Sequence, residues 1–201
     1  MRVISGKYRG LHLGTLKGGN LRPTSDQMRE TLFDVLGPNV AGGTFLDAYA
    51  GSGAVGIEAL SRGAGEVVFI EHHRPAQQLI RKNLETLGIT SGYYLVRSTV
   101  TKGLERLEQE GSRFEYLFLD PPYNEISEYH HVLRLLARSH LLDSHSLVIA
   151  EHSRHCLLEE AYGSLRRQRL IRHGDAQLGF YRIARPPAAQ QTLRQNSPDD
   201  M

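Results

Sequence analysis

Short apolar runs and longer amphipathic stretches alternate along most of this chain. From residue 44 onward the runs TFLDAY (44–49), EVVFIE (66–71), YYLVR (93–97), FEYLFLD (114–120) and SLVIAEH (146–152) read as β-strands. Their apolar cores have the length and residue types of strands buried on both faces. Between them, 53–62, 74–87, 100–110 and 128–139 carry apolar residues at helical spacing. This alternation predicts an open α/β sheet, mostly parallel, with helices on both faces, because each right-handed crossover lays a helix over the sheet. Two further runs, near 164–172 and 177–184, are joined by the turn-like HGDA and predict a closing hairpin. Seven strands are expected in all.

The start of the chain follows another pattern. RVISGKYRG and LHLGTL are short and glycine-rich, which predicts a small β-hairpin. LRPTSDQMRETLFDVLG then predicts a helix. Pro23 restricts its entry, Thr24 or Ser25 can cap it, and Leu32, Phe33, Val35 and Leu36 supply its apolar side. After Arg185 the chain loses periodicity and aromatics, so 186–201 is expected to be a disordered tail. The organisation expected is an N-terminal extension over 1–38, a single α/β domain over 39–185, and that tail.

Composition narrows the class. The 201 residues suit one domain with an appendage. The single cysteine, Cys156, excludes an internal disulfide and fits a reducing compartment, and no leader or membrane-length apolar run is visible, so a soluble cytoplasmic protein is expected. A net charge of +2 says little, but its distribution says more. Residues 1–22 hold Arg2, Lys7, Arg9, Lys17 and Arg22 and no acid, and a later segment holds Arg166, Arg167, Arg169 and Arg172. Such blocks suit phosphate-facing surfaces, although short basic clusters are more often solvated faces.

The first strand runs into Ala50-Gly51-Ser52-Gly53-Ala54-Val55-Gly56 and then a helix, and Glu71 ends the next strand 20 residues after Gly51. Glycines here permit a tight turn and close approach of a ligand, while the carboxylate can accept bonds from ribose hydroxyls. Dinucleotides and S-adenosylmethionine both fit that description. Asp47, just before the loop, suits a cationic sulfonium and ammonium better than a pyrophosphate. A nicotinamide enzyme would also need a substrate domain for which the chain has no room.

Asp120-Pro121-Pro122-Tyr123 follows the apolar strand YLFL. In an open α/β sheet such a position faces the ligand crevice at the carboxyl ends of the strands. An exocyclic base amine is a poor nucleophile because its lone pair is delocalised into the ring. A carboxylate at Asp120 and the carbonyl of Pro121 can accept its N–H groups and aim the lone pair at a methyl carbon. Tyr123 offers a face on which an unpaired base stacks. In isolation, Pro-Pro after a strand is simply a sharp turn; beside the glycine loop the catalytic reading outweighs it.

Over roughly residues 2–184 the chain resembles the RsmD family of small-subunit ribosomal RNA guanine-N2 methyltransferases. Three segments carry the resemblance: LRPTSDQMRETLFDVL (21–36), FLDAYAGSGAVGIEALSRGA (45–64) and LFLDPPY (117–123). It implies a Rossmann-like seven-stranded methyltransferase sheet. It also implies S-adenosylmethionine held by Asp47, Gly51, Gly53 and Glu71, and a target base held by Asp120, Pro121 and Tyr123. The N-terminal hairpin, with Arg2, Lys7 and Arg9, and Arg22 would contact RNA. Ribosomal RNA or a small-subunit assembly particle is the implied partner, with no metal, no membrane and no requirement for an oligomer. The chain departs from the family pattern at Gln27, where an Arg is common, and at Ala48-Tyr49. It departs again after the third strand, where Arg97-Ser98-Thr99-Val100 lacks the usual Asp and leaves Ser98 or Thr99 to meet the adenine.

Ten histidines raise a metal hypothesis. The pairs His72-His73 and His130-His131 are adjacent, so their side chains diverge, and no ligand spacing supports them. Three other functions fit parts of the sequence. A DNA adenine-N6 methyltransferase would share the Asp-Pro-Pro-Tyr chemistry but usually needs a target-recognition insertion. A nicotinamide oxidoreductase would have no use for that tetrapeptide. A non-catalytic RNA-binding assembly protein of the same fold would bind no S-adenosylhomocysteine.

Overall fold

In a computed structural model, which describes residues 1–16, 25–122 and 126–184, the expected alternation is realised. Strands β1 (Thr44–Ala48), β2 (Glu66–Ile70), β3 (Tyr93–Val96), β4 (Tyr116–Leu119) and β5 (Leu147–Ser153) pair in parallel. Beyond β5 come the antiparallel β8 (Ala176–Ile183), β7 (Leu165–His173) and β6 (Ala161–Tyr162), giving the order β3-β2-β1-β4-β5-β8-β7-β6. The sheet therefore has eight strands rather than seven. The extra one, β6, has two residues, too short for any periodic signal, and it exists because Ala161 and Tyr162 pair with Arg166 and Leu165.

Helices α2 (Ala54–Ser61), α3 (Arg74–Thr86), α4 (Val100–Gln109) and α5 (Ile126–Leu136) cover the sheet. The period of two along each strand divides the core. Phe45, Val67, Phe69, Phe118 and Ile149 face α2, α3 and the N-terminal helix α1 (Asp26–Leu36). Leu46, Val68, Ile70, Leu117 and Val148 face α4 and α5. The strand order reverses between β1 and β4, and the carboxyl ends of strands at such a switch point are where open α/β sheets hold their ligands.

The N-terminal segment folds back on itself with a single antiparallel bridge, Arg2 to His12. Val3 and Leu13 enter the same core as α1 and the sheet. The polar anchors are few and buried. Glu58 of α2 is fully buried and accepts the N–H groups of Ile4 (2.8 Å) and Ser5 (3.0 Å) and the Arg62 Nε (2.8 Å). Arg29 of α1, also fully buried, donates from Nη2 to the Arg2 carbonyl and to Asp26 Oδ1, each at 2.7 Å. Ser25 caps α1, its side chain accepting the Met28 N–H. Arg22 and the tail expected over 186–201 lie outside the described residues.

Candidate active site

At the end of β1 the chain turns sharply. Tyr49 takes φ 65°, in the left-handed region that non-glycine residues rarely occupy, and Gly51 and Gly53 follow at 55° and 76°. Such strain persists only where surrounding bonds hold it. Here the Ala50 N–H donates to the Ile70 carbonyl (3.0 Å) and the Gly53 N–H to the Ala50 carbonyl (2.7 Å). The Tyr49 hydroxyl donates to Glu128 Oε1 on α5 at 2.7 Å. Gly56 has no room for a side chain, because the Phe69 ring occupies the place of a Cβ.

Two carboxylates organise this loop. Asp47, 2% exposed, accepts the Gly56 N–H through Oδ2 at 2.8 Å. Burial pushes its carboxyl up to about 8, opposed by the Gly56 bond and assisted by the Glu71 charge. Glu71, just past β2, accepts the Gly51 N–H at Oε2 (2.8 Å) and the His73 N–H at Oε1 (2.7 Å). Each of its oxygens retains a second lone pair. Asn83 of α3 donates to the Ser52 carbonyl (2.9 Å) while accepting the Gly14 N–H (2.8 Å), and so joins the loop to the N-terminal segment. Past β3, Ser98 is half-buried and donates to the Thr99 carbonyl at 3.0 Å, while Thr99 is exposed. Asp47, Gly51, Gly53 and Glu71 thus form one cradle, with Ser98 and Thr99 one strand further out at the same end of the sheet.

Asp120 and Pro121 follow β4, on the other side of the switch point. The register sets Ala48 beside Leu119, so Asp120 stands one residue further on, level with the start of the glycine loop. Tyr129 of α5, 1% exposed, underlies this turn: its hydroxyl donates to the Glu151 carbonyl (2.6 Å) and lies 3.4 Å from the Pro121 carbonyl. Tyr123 lies outside the described residues.

Two residues at this rim escaped the sequence reading. Glu151, one residue past the Ala150–Leu119 pair and so level with Asp120, and His152 after it lie near the end of β5, each 2% exposed. His152 packs edge-on to Tyr129, and its Nε2 has no hydrogen-bond partner among the described residues. Burial pulls its pKa down, which favours the neutral imidazole. The available signal was a Glu-His pair closing the otherwise apolar run SLVIAEH.

Of the basic residues, Arg2, Lys7 and Arg9 are exposed on the N-terminal segment. Arg2 Nε lies 3.9 Å from Asp26 Oδ2, and Lys7 Nζ sits 5.3 Å from the Tyr8 ring centre. Among the described residues, no group of three or more His, Cys, Asp and Glu side chains could hold a metal ion, and no helix is long and apolar enough to cross a membrane. Cys156 is buried, and burial pushes its thiol pKa up.

A glycine loop, an acid pair and the Asp120-Pro121 segment thus converge on one switch point. A family model described as "Conserved hypothetical protein 95" matches residues 1–182. "Ribosomal RNA small subunit methyltransferase D" of Haemophilus influenzae is 36% identical over 152 residues, covering 75% of this chain and 78% of that protein. The chain belongs to the RsmD family. "Putative rRNA methyltransferase YlbH" of Bacillus subtilis is 36% identical over 182 residues, covering 90% of this chain and 98% of that one. Among solved structures, "Putative methyltransferase yhhF from Escherichia coli" superposes with a TM-score of 0.78 at 29% identity, covering 91% of this chain and 97% of that one. The Rossmann-like methyltransferase sheet expected for an RsmD-family chain is the one observed.

Proposed function

We propose that this RsmD-family chain transfers a methyl group from S-adenosylmethionine to the exocyclic N2 amine of a guanine in small-subunit (16S) ribosomal RNA. One observation carries the reading: the Asp120-Pro121 turn stands across the switch point from the cradle of Gly51, Gly53, Asp47 and Glu71. Cofactor and acceptor would then meet in one crevice, which in-line methyl transfer requires.

The residues fit the cofactor. The spare lone pairs of Glu71 suit two ribose hydroxyls, and Ser98 or Thr99 would meet the adenine. Asp47 fixes the loop through Gly56, and because burial pushes its carboxyl up to about 8 it would act there as a largely protonated hydrogen-bonding group rather than as the negative charge expected from the sequence, which leaves Glu71 as the cradle's carboxylate. S-adenosylmethionine supplies an electrophilic methyl group when bound. On the acceptor side, Asp120 and the Pro121 carbonyl accept N–H bonds from the amine. That localises its lone pair, and the Asp120 bond strengthens as the nitrogen becomes cationic. Tyr123 would stack on the base. Residues 1–38 would form the RNA-contacting extension of a catalytic domain over 39–185, with Arg2, Lys7, Arg9 and Arg22 on phosphates. The names of the Haemophilus and Bacillus relatives support ribosomal RNA as substrate, and the family resemblance supports guanine.

Calorimetry with S-adenosylhomocysteine, together with mass mapping of 16S ribosomal RNA methylated by the purified chain, tests the reading. Binding plus a new N2-methylguanine supports it. Methylation of adenine, or no cofactor binding, overturns it.

A further inference from the structure

Strand β3 is the outermost of the parallel strands, and its free edge floors a cleft of about 720 Å³ between α3 and α4. Arg81 of α3, Arg106 of α4 and Arg97 at the end of β3 surround the rings of Tyr93 and Tyr94, with Glu85 the one carboxylate in the lining. Tyr94 is 43% exposed, unusual for a large aromatic on a sheet. Its ring is held in place: Arg106 Nη2 donates to its hydroxyl at 2.8 Å, the guanidinium sits 5.8 Å from the ring centre, and Glu110 fixes Arg106 Nε at 2.8 Å. Arg81 and Arg97 are exposed, and among the described residues neither has a carboxylate within 4 Å. The strand backbone adds polar groups. The Gly92 and Val96 carbonyls bond to β2, so by the alternation of a strand those of Tyr93 and Leu95 point outward into the cleft.

A pre-positioned aromatic face, two unpaired guanidinium groups and a row of free backbone acceptors form the combination that holds a nucleic-acid strand. The ring stacks a base, the cations take phosphates, and backbone groups meet base edges or ribose hydroxyls. An added protein strand could use the same backbone edge, but the excess of cations favours an anionic occupant. A duplex would keep its bases stacked inside and leave the exposed ring unused.

We infer that the β3 edge binds a single-stranded segment of RNA, with one base on Tyr94 and phosphates on Arg81 and Arg97. This second RNA-binding surface rests on the reading of the chain as an RNA-modifying enzyme. It lies beside the Ser98-Thr99 end of the proposed cofactor site and is separate from the N-terminal basic segment. Strands β3, β2 and β1 separate it from the Asp120 turn, so it would hold a stretch of RNA away from the modified nucleotide itself.

The test uses the full chain and a fluorescent mixed-sequence oligoribonucleotide of about a dozen nucleotides, followed by anisotropy. Tyr94→Ala should weaken binding by about 5- to 150-fold, the range expected for losing one base–aromatic stack. Tyr94→Phe, which keeps the ring, should bind within about twofold of the parent. Arg81→Ala should flatten the slope of log affinity against log salt by about 0.7. S-adenosylhomocysteine affinity, read by calorimetry, should stay unchanged in all three. Unchanged oligonucleotide binding in both alanine variants overturns the inference. So does an equal loss for duplex RNA, or self-association of the parent chain that Tyr94→Ala abolishes, since that would give the edge to a second copy. Methylation of ribosomal RNA by the parent chain is scored separately. If it occurs while both alanine variants bind normally, the enzyme reading stands without this site; if it fails while Tyr94→Ala loses binding, the site stands without that enzyme reading.

Discussion

At the scale of single residues, the two rim aspartates carry opposite demands. On the proposed reading Asp120 accepts an N–H bond that strengthens as the amine becomes cationic, so it would contribute to the transition state rather than to cofactor binding. Asp120→Ala is expected to lower single-turnover methyl transfer by roughly 10²–10³-fold, the scale for losing one preorganised electrostatic group. S-adenosylhomocysteine affinity should be unaffected; parent-like turnover would remove Asp120 from the mechanism. Asp47 is buried, and its carboxyl is pushed up to about 8 from an ordinary 3.8. The folded chain therefore holds a proton that the unfolded chain has already released between those values. The contribution of Asp47 to stability thus falls as pH rises from about 4 to about 8 and levels off above. Asp47→Asn keeps an oxygen for the Gly56 N–H and removes the titration. It should match the parent near pH 4 and exceed it increasingly toward pH 8, by on the order of 2–4 kcal/mol at the top of the range. Urea denaturation across that range reads the gap, and a gap that does not change with pH would show that Asp47 does not hold the proton.

At the scale of elements, the difference between what was legible and what was not follows burial. The five parallel strands could be read because both faces of each are covered, which forces nearly continuous apolar runs such as VVFI in β2 and LVIA in β5. The Asp-Pro-Pro turn and the glycine loop were legible because their chemistry is local. The anchoring of the N-terminal segment was not. Every residue of α2 from Ala54 to Ala59 is buried, Glu58 included, and no periodicity distinguishes a buried acid from a solvated one. Arg29 likewise looks like an ordinary polar position of α1, yet it is fully enclosed. The shift of register in β7 between Arg167 and Arg169 comes from pairing with β8, which sequence spacing cannot express. The positive φ of Tyr49 is set by its neighbours rather than by its own preference. Glu58→Ala should therefore cost about 2–4 kcal/mol in urea denaturation, because it strands two N–H groups with little access to water. Glu58→Gln, which can still accept one of them, should cost less. Equal losses for the two variants would mean that the carboxylate oxygens are not the anchor.

At the scale of the whole molecule, a net charge of +2 conceals a division of labour. Carboxyl groups gather at one end of the sheet, with Glu71, Asp120 and Glu151 on neighbouring strands and Asp47, held largely protonated by burial, among them. On the proposed reading, carboxylates there would repel the phosphates that surround any base in RNA, so affinity for the backbone would come from elsewhere. The N-terminal segment can supply it because its anchors are buried while Arg2, Lys7 and Arg9 are exposed. Their charges can be removed without disturbing the fold, whose bonds in this segment run through backbone N–H and carbonyl groups. Replacing Arg2, Lys7 and Arg9 by Gln together should weaken binding to ribosomal RNA most strongly at low salt. Removing one phosphate-binding cation should reduce the slope of log affinity against log salt by about 0.7–0.9, and removing all three by roughly 2–3. Cofactor affinity and the urea midpoint should stay at parent values, since neither crevice nor core includes these side chains. Filter binding across a salt series gives the slope directly. A weaker interaction with an unchanged slope would mean that these residues shape the segment rather than meet phosphates, and an unchanged interaction would mean that this face is merely solvated.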